Sequence, residues 1–131
     1  MRREFSVRME DVTPRKGREG INYVLLGDHG EGHWVNVVKF PPGYESEAHY
    51  HDHDQFQIVI KGTVNMAGEI LTPGSVHYTD ANTPYGPFKT GPDGLTMMII
   101  RPGAPDKGQR IPVRTVIDKV KEAQDRQAPA D

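Results

Sequence analysis

Between His33 and Phe40 the chain alternates, with Trp34, Asn36, Val38 and Phe40 on one face of a strand and His33, Val35, Val37 and Lys39 on the other. Residues 55–60 repeat the period: Phe56, Ile58 and Ile60 share one face, and Gln55, Gln57 and Val59 the opposite one. Two glutamines on a strand face are awkward in a dry core and comfortable beside a metal or a wet cavity. Further strands are expected over residues 21–26, 63–66, 75–79 and 95–101, and residues 5–8 form either a short first strand or an arm. Breakers separate them: Gly27-Asp28 with a loop over 29–32, Pro41-Pro42-Gly43, Gly62, Gly68, Pro73-Gly74, a loop over 80–84, and Pro102-Gly103. From Val113 the period lengthens. Val116, Ile117 and Val120, with Ala123 and Gln124, line one side of an amphipathic helix, and Lys119, Lys121, Glu122 and Asp125 form its solvated face. Nine or ten short strands and one terminal helix predict an all-β barrel or jelly roll, with Trp34, Phe40, Phe56, Met97 and Met98 in its core.

Composition narrows this picture. A chain of 131 residues reads as one domain, with N-terminal strands and an arm over 1–33, a barrel core over 34–112 and a C-terminal helix and tail over 113–131. The 14 glycines and 11 prolines are scattered, as turns between short strands require, and not gathered into a disordered tract. A formal net charge of −2 argues against a nucleic-acid groove or a polybasic membrane surface. The absence of cysteine excludes disulfides, thiolate metal sites and cysteine nucleophiles. The basic N-terminus is followed by no apolar core, so it is not a secretory signal. The longest apolar runs fall far short of the roughly 18 residues of a membrane helix. A soluble cytoplasmic protein is the expectation.

The chemistry concentrates between Gly43 and Gly62. His49 and His51, two apart in an extended strand, present two imidazoles to one point, as divalent transition metals favour. Gln55 follows after a short turn and offers an oxygen from the next strand, so His49, His51 and Gln55 are the candidate metal ligands. His53 keeps the same parity but sits where the chain must turn, which makes it a surface or supporting residue. Asp52 and Asp54, on that turn, read as solvated. Gln57 is a candidate for lining the cavity and binding substrate. His77, with Thr79 on the inward face of its strand, is either an interior ligand or a hydrogen-bonded core histidine.

These residues resemble a known family. The pattern G(x5)HxH(x3)E(x6)G is the first motif of the cupins, and Gly43, His49, His51, Gln55 and Gly62 fall on it with every spacing kept, glutamine replacing the usual glutamate. The second motif runs from Gly74 to Tyr85, and Tyr85 stands where the third histidine ligand is expected. The resemblance covers about residues 34–100. It implies a double-stranded β-helix, often a homodimer, and one divalent ion of iron, manganese, nickel or zinc. It also implies oxygenase, isomerase or lyase chemistry on a small oxygenated molecule. Read from its own chemistry, Tyr85 either ligates as phenolate or serves as catalytic acid/base or hydrogen-bond donor to a bound ligand, and Gln57, His77 and Tyr85 are the candidates for orienting substrate. Neutral ligands hold a dication less firmly than a carboxylate does. A non-catalytic ligand-binding or sensing cupin, with or without metal, and a purely structural, metal-free barrel are the competing expectations.

Overall fold

The computed structural model describes residues 4–28, 31–104 and 110–112. A short 3-10 helix, Met9–Asp11, precedes ten strands: β1 Arg15–Lys16, β2 Ile21–Asp28, β3 Glu31–Phe40, β4 Glu45–Ser46, β5 His49–His51, β6 Gln55–Met66, β7 Glu69–Leu71, β8 Val76–Thr79, β9 Phe88–Ala104 and β10 Arg110–Pro112. All pairings are antiparallel. The main sheet runs β1-β2-β3-β9-β6-β7, with β4 on β9 and β8 on β6, and β10 pairs β5 in a second, two-stranded sheet. The architecture is the all-β jelly roll that the spacing of strands predicts. The expected C-terminal helix lies outside the described residues. No described helix is long and apolar enough to cross a membrane.

Several elements differ from expectation: β2 continues through Gly27-Asp28, and β9 begins at Phe88 and continues through Pro102-Gly103. Of the two expectations for residues 5–8 the arm holds: they form no strand, and Phe5 and Val7 are exposed. Where a loop is expected over 29–32, β3 already begins at Glu31. Residues 55–60 and 63–66 belong to one strand, since the chain does not turn at Gly62 but passes through it at φ +82° with register shifts on either side. Gly62 pairs with Leu95, and a Cβ there would collide with the Gly94 carbonyl oxygen. The position is therefore glycine for reasons of both dihedral and space.

Register decides what faces inward. Trp34 lies opposite Arg101, Asn36 opposite Ile99, Val38 opposite Met97 and Phe40 opposite Leu95. On the other side of β9, Gln57 meets Ile99 and Val59 meets Met97. One end of the barrel is apolar: Phe40, Val64, Met66, Leu71, Phe88 and Leu95 are buried, and the Phe40 and Phe88 rings meet edge to face at 5.7 Å. Each such side chain contributes about 1.5–3 kcal/mol of burial. Towards Trp34, Arg101 and Gln55 the interior becomes polar. Trp34, Phe40 and Met97 lie in the core as expected, but Phe56 and Met98 do not. Gln55, Gln57 and Val59 take the interior of β6, so Phe56, like Met98, is only half-buried on the outer face. Where both faces of a strand carry apolar residues, the cavity and not hydropathy sets which one turns in.

Candidate functional site

β5 and the segment before β9 bring the first site residues together. His49 and Tyr85 exchange both backbone hydrogen bonds, at 3.1 and 2.9 Å, as an isolated antiparallel bridge, which sets their side chains beside each other on one face. The Nδ1 of His49 lies 2.9 Å from the Glu47 carbonyl oxygen, which can only accept. Nδ1 therefore carries the proton in the neutral ring, and Nε2 presents a lone pair to the interior. Tyr85 Oη, 2.9 Å away, donates to it. Gln55 Nε2 donates to the same Oη at 3.1 Å, and Arg101 Nε donates to Gln55 Oε1 at 3.1 Å.

The result is a chain of donors running one way, from Arg101 through Gln55 and Tyr85 to His49 and the Glu47 carbonyl. Gln55 is 1 % exposed and His49 2 %, Tyr85 is half-buried, and each bond polarises the next. Arg101 is fixed a second time, its guanidinium 4.3 Å from the centroid of the Trp34 ring. Sequence alone does not single out Arg101; a lone arginine at the end of an apolar strand reads as a strand boundary, and its partner Gln55 lies 46 residues away.

The other candidates surround this chain. His51 is buried with its ring 5.1 Å from that of His49. His53, expected at the surface or in support, is 3 % exposed and stacks on His51 at 5.1 Å. The turn that exposes its neighbour Asp54 tucks its own ring inward; Asp54 accepts a bond from the Ala81 backbone N–H at 2.9 Å. Gln57 is buried, and its Oε1 lies 3.2 Å from Nδ1 of His77, the residue opposite it in register. His77 is thus tied to Gln57 and set back from the cavity. Burial holds its imidazole below the usual histidine range, while the Glu69 carboxylate pulls weakly the other way.

A cavity of about 570 Å³ opens onto these groups, lined by His49, His51, Gln55, Gln57, Tyr85 and Arg101 and walled by Trp34, Val38, Met97 and Ile99. Asn36 also lines it. Its Nδ2 donates to Asn22 Oδ1 at 2.9 Å, but its Oδ1 is buried with no partner among the described residues. A buried acceptor left this way is satisfied by a donor from a ligand or a water. A larger depression of about 900 Å³, around Glu45, Asn65 and Lys89, has an exposed ion pair, Glu45 to Lys89 at 3.4 Å, on its wall and none of the site residues.

The donor set can be tested against a divalent metal. His49 fits, with its lone pair inward and its outer nitrogen held by a carbonyl, as metal-bound histidines usually are. Gln55 as arranged does not. Its oxygen faces Arg101 and its NH2 faces Tyr85, and reversing the amide would set donor against donor at the guanidinium. Among the described residues no group of three or more histidine, cysteine, aspartate or glutamate side chains is placed to hold a metal ion. The arrangement as it stands does not fit a firmly held dication.

Comparisons with known proteins bear on the fold. No curated protein matches in sequence. Among solved structures, the polyketide cyclase RemF from Streptomyces resistomycificus superposes with a TM-score of 0.67 at 19% identity, over 84% of this chain and 85% of that one. KdgF from Halomonas sp. gives 0.59 at 20% identity, over 76% and 94%. A single-residue variant of the oxalate decarboxylase of Bacillus subtilis gives 0.60 at 17% identity over 76% of this chain, which spans only 29% of that larger protein. At these identities the likeness is one of fold. The model of the cupin domain matches residues 36–101, from the cavity asparagine to the buried arginine. The chain belongs to the cupin family.

Proposed function

We propose that the barrel cavity is the active site of an enzyme of isomerase or lyase type, acting on a small oxygenated organic molecule by proton transfer next to a carbonyl. The observation that carries this is the hydroxyl of Tyr85, held between the Nε2 of His49 and the NH2 of Gln55 at the cavity wall. A proton leaving a substrate carbon passes to Tyr85 Oη as the phenolic proton moves to His49 Nε2. The imidazolium so formed keeps its Nδ1–H on the Glu47 carbonyl. The electron pair left on the substrate is stabilised by the Arg101 side, and the proton returns to another substrate atom, so nothing is oxidised or reduced. The unpartnered Oδ1 of Asn36 suits a substrate hydroxyl. Gln57 and His77 shape the wall behind.

The test is deuterium incorporation from D2O into a 2-oxo acid and a 1,3-diketone, followed by proton NMR. Exchange above buffer with the wild type, lost in Tyr85→Phe while its circular dichroism is unchanged, is the expected result. Binding of such compounds without exchange would leave a ligand-sensing cupin instead. No exchange and no binding would overturn the reading.

A metal-bearing reading stands second, favoured by the carbonyl-held Nδ1 of His49 and the neighbouring ring of His51. In it, His49, His51 and Gln55 hold one ion of iron, manganese, nickel or zinc, which supplies Lewis-acid or oxygen-activating chemistry. It requires the Gln55 oxygen to turn away from Arg101. Elemental analysis of untagged protein decides: near one ion per chain, lost in His51→Ala, supports it, and no uptake removes it. Both readings take the chain as a cytoplasmic homodimer acting on a small molecule without a nucleic-acid or membrane partner, and sedimentation tests the dimer.

A further inference from the structure

The whole chain carries a formal charge of −2, yet its cations are not spread evenly. Among the described residues lining the cavity, Arg15, Lys16, Arg18 and Arg101 are basic and Glu19 is the one carboxylate. Arg15, Lys16 and Arg18 are exposed, on β1 and the turn that follows it, so they stand at the mouth. Arg101 is 6 % exposed and stands inside. Cations of one sign along a low-dielectric cleft focus its field and raise the local concentration of anions. A guanidinium fixed by Gln55 and by the Trp34 ring loses little freedom when it binds, and its planar fork matches a carboxylate.

We infer that the cavity takes a small organic carboxylate, drawn in by Arg15, Lys16 and Arg18 and anchored at Arg101. The inference rests on the barrel cavity being the substrate site, and it specifies the charge of what enters. A carboxylate suits the site better than a phosphate for two reasons. Trp34, Val38, Met97 and Ile99 offer apolar walls to an organic body. A phosphate is usually cradled by several backbone N–H groups at a helix N-terminus, and the one described helix has three residues and lies outside the cavity lining.

Trp34 is the single tryptophan of the chain and lines the cavity under Arg101, so its fluorescence reports on this site alone. The experiment titrates the full chain with benzoate and with benzamide, a pair alike in shape and different in charge. Benzoate is expected to perturb Trp34 and to bind about tenfold more tightly than benzamide, which corresponds to about 1.4 kcal/mol. Raising salt from about 50 to about 500 mM should weaken benzoate and spare benzamide. In Arg101→Gln the preference should vanish. The double variant Arg15→Gln/Arg18→Gln changes only exposed side chains and keeps the test alive if Arg101→Gln does not fold: its benzoate association rate should fall several-fold, with benzamide unchanged. Equal binding of the two probes, a preference that survives in Arg101→Gln, or no response to either probe overturns the inference, as does inorganic phosphate displacing benzoate with the higher affinity. Equal binding alongside intact deuterium exchange would remove the charge inference alone. A charge preference without exchange would remove the proton-transfer reading alone.

Discussion

Replacing Gln55 by methionine keeps the length and rough shape of the side chain and removes both of its hydrogen bonds. In the wild type Gln55 accepts from the Arg101 guanidinium at 3.1 Å and donates to the Tyr85 hydroxyl at 3.1 Å, at 1 % exposure. A bond to a charged group is worth about 1.5–3 kcal/mol and a neutral one about 0.5–1.5 kcal/mol, each lost without replacement by solvent at a buried site. The thioether recovers part of this through apolar burial, so the net loss should be about 2–3 kcal/mol. For a domain of this size that lowers Tm by about 10 °C. The assay is thermal and urea unfolding followed both by circular dichroism and by Trp34, whose ring carries the Arg101 guanidinium. Gln55→Met, Tyr85→Phe and the double variant complete a cycle, with an expected coupling of about 1 kcal/mol between the two positions. A loss below about 0.5 kcal/mol for Gln55→Met, or additivity of the two changes, would refute the donor chain on which the site is built.

Other predictions follow from single features. His77 is held below the ordinary histidine range by burial, so on acidification the unfolded chain takes up a proton at this residue first. Its contribution to stability is therefore full above a pH of about 6.5 and is lost as pH falls from there through the lower folded-state value; His77→Gln should flatten that part of the urea-midpoint profile, and an unchanged slope would contradict it. Gly62→Ala forces an L side chain into φ +82° and against the Gly94 carbonyl, and should cost about 1–3 kcal/mol in urea unfolding. Met97→Ala, at a residue 1 % exposed in the core, should cost about 2–5 kcal/mol by the same measurement.

What sequence reading can and cannot reach follows from the range of the interactions. The two-residue period of β3 and β6 is local, so both strands and the two faces of each are legible from residues 33–40 and 55–60. The choice of inward face on β6 is not local. It depends on Gln55 and Gln57 meeting Arg101 and His77 from other strands, and so Phe56, expected inside, lies outside. The same limit hides Arg101 and Asn36, whose roles appear only when β3, β6 and β9 lie side by side.

The two departures of this chain from the cupin motifs are 30 residues apart and read as independent losses, a carboxylate at position 55 and a histidine at position 85. In the fold they are bonded to each other, the Gln55 amide donating to the Tyr85 hydroxyl. Each makes sense of the other. A glutamate at position 55 in its ionised form has no donor to give to Tyr85, and a histidine at position 85 would put a second ring nitrogen beside Nε2 of His49 in place of the hydroxyl that now donates to it. Behind Gln55 stands Arg101, which fixes the amide so that its oxygen faces the cation and its NH2 faces the phenol. Glutamine and tyrosine thus form one device with the arginine. It holds a polarised hydroxyl beside an imidazole at the wall of the cavity.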